Sequence, residues 1–391
     1  MNSIAKFFTI YWIVYFPACI AYNDLPGFQS VDEVMTAILI VYTFYQKRNP
    51  DTNPAPWREY FIFLWILLFY IVYSLMFGVN VSKAVWLDAI QWIRPFSIIY
   101  CTWILNPQFT RNQKKWMLGT MIITLVSWVI LTPIRDGSEF PVLGQMAICC
   151  GMAFYLLTEN TQKNLWISFL LVAIGLVAPK FKFMGEVVCF IGVIFFMKNK
   201  LGSLSPKTLF FIGVLLIVIL YVSWERVDAY YVSGFDNEKL GRPMSYKTAY
   251  GKIIWDYFPF GPGMGGFATM AAWKCYSPLY FKYHLNNIWG FGSTSVAAGC
   301  FICDAFYPAL SEFGVVGIFL FFLFWKRRIK DFNMIENIKY YKVAILALLC
   351  LIIEQTADSS FLSGKGMGYC MLIGLCLNAN GAEESEIDTV S

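Results

Sequence analysis

The chain has 391 residues, of which 58% are hydrophobic, 19% aromatic and only 14% charged, and its formal net charge is +5. That balance excludes an ordinary soluble domain and reads as an all-α polytopic membrane protein. The positive charge makes no case for nucleic acid, because Lys and Arg border membrane spans whatever the function.

In chain order, apolar runs able to cross roughly 30 Å of hydrocarbon recur almost throughout. Twelve spans are predicted, over about 7–22, 31–46, 59–78, 84–106, 115–132, 142–158, 164–179, 182–198, 207–224, 304–325, 341–357 and 365–379. Residues 1–224 thus hold nine helices, 225–303 form one long polar interval, 304–379 hold three more helices, and 380–391 form an acidic tail. The tail has no apolar period and is expected to be disordered. The opening run after Lys6 is followed by no A-x-A cleavage site and by further spans, so it reads as a retained helix.

Sidedness follows from the Lys and Arg in the short connections. One set holds Lys6, Lys47, Arg48, Arg58, Arg111, Lys114, Lys115, Lys163, Lys198, Lys200, Lys207, Lys326, Arg327, Arg328, Lys330, Lys339 and Lys342. The other holds Lys83, Arg135, Lys180, Lys182 and Lys365. Seventeen against five places both termini in the cytoplasm and the interval 225–303 outside. No internal repeat is visible, which counts against a transporter built from duplicated halves.

Charges within spans are costly and usually face a bundle interior or a cavity. The fourth span carries Asp88, Gln91 and Arg94 at steps of three on one helical stripe, followed by Pro95. They read either as a structural pair holding the bundle or as groups near a substrate. Lys180 and Lys182, in "VAPKFKFMGE", stand against the charge bias at an outer span end. They either snorkel to headgroups or meet a pyrophosphate at the mouth of the bundle.

In the long interval, Tyr246, Ala249, Tyr250, Ile253, Ile254 and Tyr257 follow the spacing of an amphipathic helix, with Pro243 at its start and Lys247 and Lys252 on its polar side. This helix is expected to lie at the outer membrane surface. Arg242 stands at its N-terminus, where the dipole favours an anion and gives an arginine no support, so its position favours ligand binding. The turn "GPGMGG", Gly261 to Gly266, stops the helix and reads as a tight turn before it reads as a phosphate cradle. Trp273 belongs to a dense run of rings that pack together or stack on sugars. His284, the single histidine, is an exposed loop residue or a catalyst. Asp304 caps the tenth span or meets a ligand over the mouth, with Glu312 two turns further in. Cys275, Cys300 and Cys303 do not make a metal site, and a disulfide among them is open if the interval faces an oxidising space.

Lys182 in "PKFKFMGE", Arg242 heading a helix that runs into "FGPGMGG", and Asp304 ahead of "SEFGVVG" occur in a telling order. That order, on the outer side, resembles the bacterial O-antigen polymerase and O-antigen ligase superfamily, integral membrane glycosyltransferases of the C-type (GT-C-like) class. The likeness covers roughly residues 179–320. The chain departs from the ligase branch, having Asp304 and Ala305 where that branch carries His-Asn, and it has Lys182 where an arginine is common. The missing His-Asn favours a polymerase.

The resemblance implies transfer of an undecaprenyl-diphosphate-linked glycan onto a lipid-linked repeat unit, at the periplasmic face of a bacterial inner membrane, without metal or other cofactor. It places Arg242 and Lys182 on the diphosphate, with Lys180 and Arg94 as further candidates. Lys247, Tyr246 and Trp273 would bind diphosphate or glycan. Asp304 would position the acceptor or act as general base, with His284 as its substitute. A chain-length regulator and a flippase are the implied protein partners. Two rivals stay open: a ligase that transfers the glycan to lipid A core, and a flippase or transporter of lipid-linked sugars.

Overall fold

The computed structural model describes residues 3–24, 30–131, 143–177, 180–200, 232–236, 240–292 and 301–378, with scattered positions between 213 and 228. The ninth expected span lies almost wholly outside the described residues, and the acidic tail lies outside them altogether. Among the described residues the regular structure is helical, with no strand.

Helices α1 (Ser3–Asp24), α2 (Val31–Tyr45), α3 (Trp57–Phe77), α4 (Ser82–Leu105), α5 (Arg111–Leu131), α6 (Leu143–Leu157), α7 (Gln162–Ala173) and α8 (Phe181–Ile191) follow the expected apolar runs. After the polar interval come α10 (Gly314–Met334), α11 (Ile338–Glu354) and α12 (Met367–Cys376), and within it lies α9 (Gly241–Thr248). Among the described residues two helices, Trp57–Phe77 and Phe306–Met334, are long and apolar enough to cross a membrane, fewer than the twelve expected along the whole chain. The remaining runs fall short in length, as Leu143–Leu157 and Gln162–Val177 do, or are diluted by polar side chains, as in α4 and α5.

The centre of the bundle is built from helices that are apolar all round. Every residue of α12 is buried, and so is every residue of α6 up to Leu156. Helix α4 packs on α2, α3 and α12, while α11 packs on α8 and α12. Helix α3 is the opposite case: only 22% of its most apolar window is buried. Its Trp65, Phe69 and Met76, with Ile10, Val41, Ile123 and Phe319 on other helices, present large apolar side chains outward. Large apolar side chains exposed in that number suit lipid better than water.

The expected amphipathic helix is present. It starts at Gly241, two residues before Pro243, continues through a π turn at Ala249–Ile253 and ends at Asp256. Pro243, Ser245, Thr248, Ala249 and Ile253 are buried against the bundle, while Lys247, Lys252 and Trp255 are exposed. The Tyr250 hydroxyl ties the helix down by donating to the Tyr307 carbonyl at 2.7 Å.

Candidate functional site

Gly241 decides how closely α9 approaches the end of the polar interval. A Cβ there would lie 2.9 Å from ring carbons of both Phe291 and Phe301, so only glycine lets the helix start against them. The next residue, Arg242, then reaches Asp304. Its Nε donates to Asp304 Oδ2 at 3.0 Å, and its NH2 group contacts the same oxygen. The segment around Asp304 is itself held to the chain that follows α11. Ser359 Oγ donates to the Cys303 carbonyl at 2.9 Å, and Phe306 N donates to the Gln355 carbonyl at 3.1 Å.

This brings a second group of charges alongside the first. Lys182, in the first turn of α8, donates from Nζ to Glu354 Oε2 at 2.6 Å and to Asp358 Oδ2 at 3.2 Å. Lys365 Nζ donates to the same Asp358 oxygen at 3.0 Å. Glu354 is fully buried and also accepts from Ser360 Oγ at 3.0 Å and from the Gln145 amide. Behind it lies a further buried carboxyl, Glu186, which accepts from the Tyr369 hydroxyl at 3.3 Å.

The electrostatics of the rim are shaped by burial and by these pairings. Burial raises the Asp304 pKa, and Arg242 opposes that rise. Asp358 feels the same desolvation, but Lys365 and Lys182 hold it down, to about 2. Lys180, exposed beside them, has its pKa lowered by desolvation at the rim and by the neighbouring Lys182 and Lys365. Three cations in this cluster therefore have carboxylate partners, and an incoming anion would have to exchange with those partners.

The other residues expected at a site lie elsewhere or at its margin. Arg94 is buried under α2, with NH1 at 2.5 Å from Asp32 Oδ2 and NH2 at 2.9 Å from Glu33 Oε1, and it also donates to the Leu362 carbonyl at 3.0 Å. The structural-pair reading of Arg94 thus matches its contacts, although its partner is Asp32 rather than Asp88. Lys247 is exposed on α9, and Tyr246 packs near Tyr250 with ring centroids 6.4 Å apart. Trp273 is 38% exposed on the short helix Met270–Lys274. His284 is exposed, with a left-handed backbone, after the turn Leu279–Lys282. Cys275 and Cys303 are free thiols, and Cys300 lies outside the described residues. Among the described residues no group of three or more His, Cys, Asp or Glu could hold a metal ion.

The glycine turn is a plug in the bundle. Its amides are already taken: Met264 N donates to Ser74 Oγ at 2.8 Å, Gly265 N to Asp88 Oδ2 at 3.0 Å, and Phe267 N to Glu312 Oε1 at 2.7 Å. Gly261 has φ +80°, and a Cβ on it would lie 2.3 Å from the Glu312 carbonyl oxygen. These contacts fit the tight-turn reading, with carboxylates where a cradle would hold phosphate.

Glu354, Asp358, Lys365, Gln145 and Glu186 were not among the expected site residues. A signal for Glu186 and Glu354 existed, since a carboxylate interrupting an apolar run is costly and rarely idle. No protein-family model matches this chain, and no curated protein matches it.

Proposed function

We propose that the chain is a membrane glycosyltransferase that polymerises glycan repeat units carried on a polyprenyl diphosphate, with its helical bundle in the bilayer and the polar interval over the outer face. One observation carries the reading: the Arg242–Asp304 pair, at the start of α9, sits beside the Lys182–Asp358–Lys365 cluster. Transfer from a lipid diphosphate builds charge on the leaving pyrophosphate and requires a proton to leave the acceptor hydroxyl. Arg242, Lys182, Lys365 and Lys180 provide cations for that charge.

In the proposed sequence, the diphosphate takes Arg242 from Asp304. The released carboxylate, whose proton affinity burial has already raised, then accepts the proton of the acceptor hydroxyl. The new glycosidic bond forms as the bond to the diphosphate breaks, and the diphosphate leaves with its electron pair, neutralised by the cations. Lys182 offers a point charge without the bidentate fork of an arginine, so orientation falls to Arg242.

The test is Arg242→Ala in cells that make the polymer, with the membrane level of the protein followed alongside. The expected result is single repeats in place of long chains, at unchanged protein level. Normal long-chain polymer from that variant overturns the assignment. Glycan absent from lipid A core supports a ligase instead, and lipid-linked units trapped on the cytoplasmic side support a transporter.

A further inference from the structure

Two helices that are long and apolar enough to cross a membrane, Trp57–Phe77 and Phe306–Met334, border a cavity of about 250 Å³ on the flank built by α3, α4 and α10. Its walls include Ile66, Phe96, Phe313, Leu320 and Phe324, and it opens outward onto a shallower trough beside Trp65 and Phe69. Along α3 it runs from Glu59 to Tyr70, roughly 17 Å at the helical rise per residue. That is close to half the thickness of a hydrocarbon core of about 30 Å, the depth of a single leaflet.

The two ends differ. At one end the Tyr70 hydroxyl is already committed to the Phe313 carbonyl, at 2.9 Å. At the other, Arg327 lines the opening and is exposed, as are Lys326 and Lys330. Glu59, also at that end, is neutralised by the buried Arg328, which also lies 3.0 Å from Asp331 Oδ2 and stacks 4.6 Å from the Trp103 ring. The mouth is therefore apolar along its length and cationic at its end.

We infer that this groove holds one acyl chain of an anionic glycerophospholipid from the leaflet at the Arg327 end, with the headgroup against Arg327. The length favours an acyl chain, and the charge selects an anionic headgroup. The site rests on α3 and α10 lying in a bilayer and is separate from the Arg242 rim.

Native mass spectrometry of the detergent-purified full chain tests this with phosphatidylglycerol, phosphatidylethanolamine and a polyprenyl phosphate as probes. The wild type should retain phosphatidylglycerol about fivefold over phosphatidylethanolamine, the effect expected of one basic residue near the surface. Arg327→Glu, on the exposed surface, should erase that preference, and Leu320→Trp should expel bound lipid of either headgroup. Should Leu320→Trp fail to fold, Arg327→Glu decides alone. Equal retention of the two phospholipids by the wild type, an unchanged preference in Arg327→Glu, or displacement by the polyprenyl phosphate overturns the inference. Carbonate extraction of membranes separates the two levels of failure. A chain released by carbonate removes the bilayer premise, whereas a retained chain without lipid preference removes only the groove.

Discussion

Two polar clusters in this molecule differ in what satisfies their carboxylates. At the rim, Asp304, Glu354 and Asp358 are met by the side chains of Arg242, Lys182 and Lys365. In the plug, Asp88 and Glu312 are met largely by backbone amides of the turn that holds Gly265 and Phe267. Long cationic side chains can swing from one anion to another. Amides of a glycine turn wedged against Ser74, Gly78 and Ala84 cannot. The first arrangement suits exchange with a ligand and the second suits locking the interval onto the bundle.

The largest effect expected from this contrast is at Lys182. Lys182→Met leaves Glu354 buried without its cation and should cost about 3–5 kcal/mol. Adding Glu354→Gln should return much of the loss, because the two residues act as one unit. Thermal melts of the single and double variants in detergent check this, and simple additivity would show that the pair is not coupled.

Next comes Gly261→Ala, which places a side chain at φ +80° against the Glu312 carbonyl and should cost about 2–3 kcal/mol. Asp88→Asn should be far milder, under about 1.5 kcal/mol, because an amide oxygen still accepts from Gly265 N. If Asp88→Asn proves as damaging as Gly261→Ala, charge rather than hydrogen bonding holds the plug.

The pH response should be smaller and biphasic. Asp358 has its folded pKa lowered to about 2, against an ordinary 3.8, so it contributes stability above 3.8 that is lost as pH falls toward 2. Asp304 has its folded pKa raised above 3.8, so the folded state holds its proton longer and stability declines as pH rises through that raised value. Melts across this range should show the decline in the wild type and lose it in Asp304→Asn. A decline that persists in the variant would assign it to another group. The smallest effect belongs to the surface pair Lys282–Asp256, whose side chains are 47% and 45% exposed: Lys282→Ala should change stability by less than about 1 kcal/mol.

Much of the fold was legible in the sequence. Apolar runs marked α1 to α8 and α10 to α12, and the i, i+3, i+4 spacing after Arg242 marked the helix that became α9. The number of helices long and apolar enough to cross a membrane among the described residues was not, because several apolar runs fold into helices that are too short or carry too many polar side chains. At the site, Arg242 and Lys182 stood out because each was a charge placed against a local rule, and Asp304 because it heads a span beside the polar interval. Glu354 carried the signal of an acid at the end of an apolar run, but nothing in that run shows which cation it faces.

The sequence by itself determined the helices, their apolar character and the anomalous placement of Arg242 and Lys182, because these are properties of a few neighbouring residues. Only the tertiary structure decided the pairings. Lys182 and Glu354 are 172 residues apart, Arg242 and Asp304 are 62 apart, and Arg94 found Asp32 rather than its helix neighbour Asp88. A charge buried in an apolar bundle must find an opposite charge or a hydrogen-bond partner, and packing determines which one is within reach.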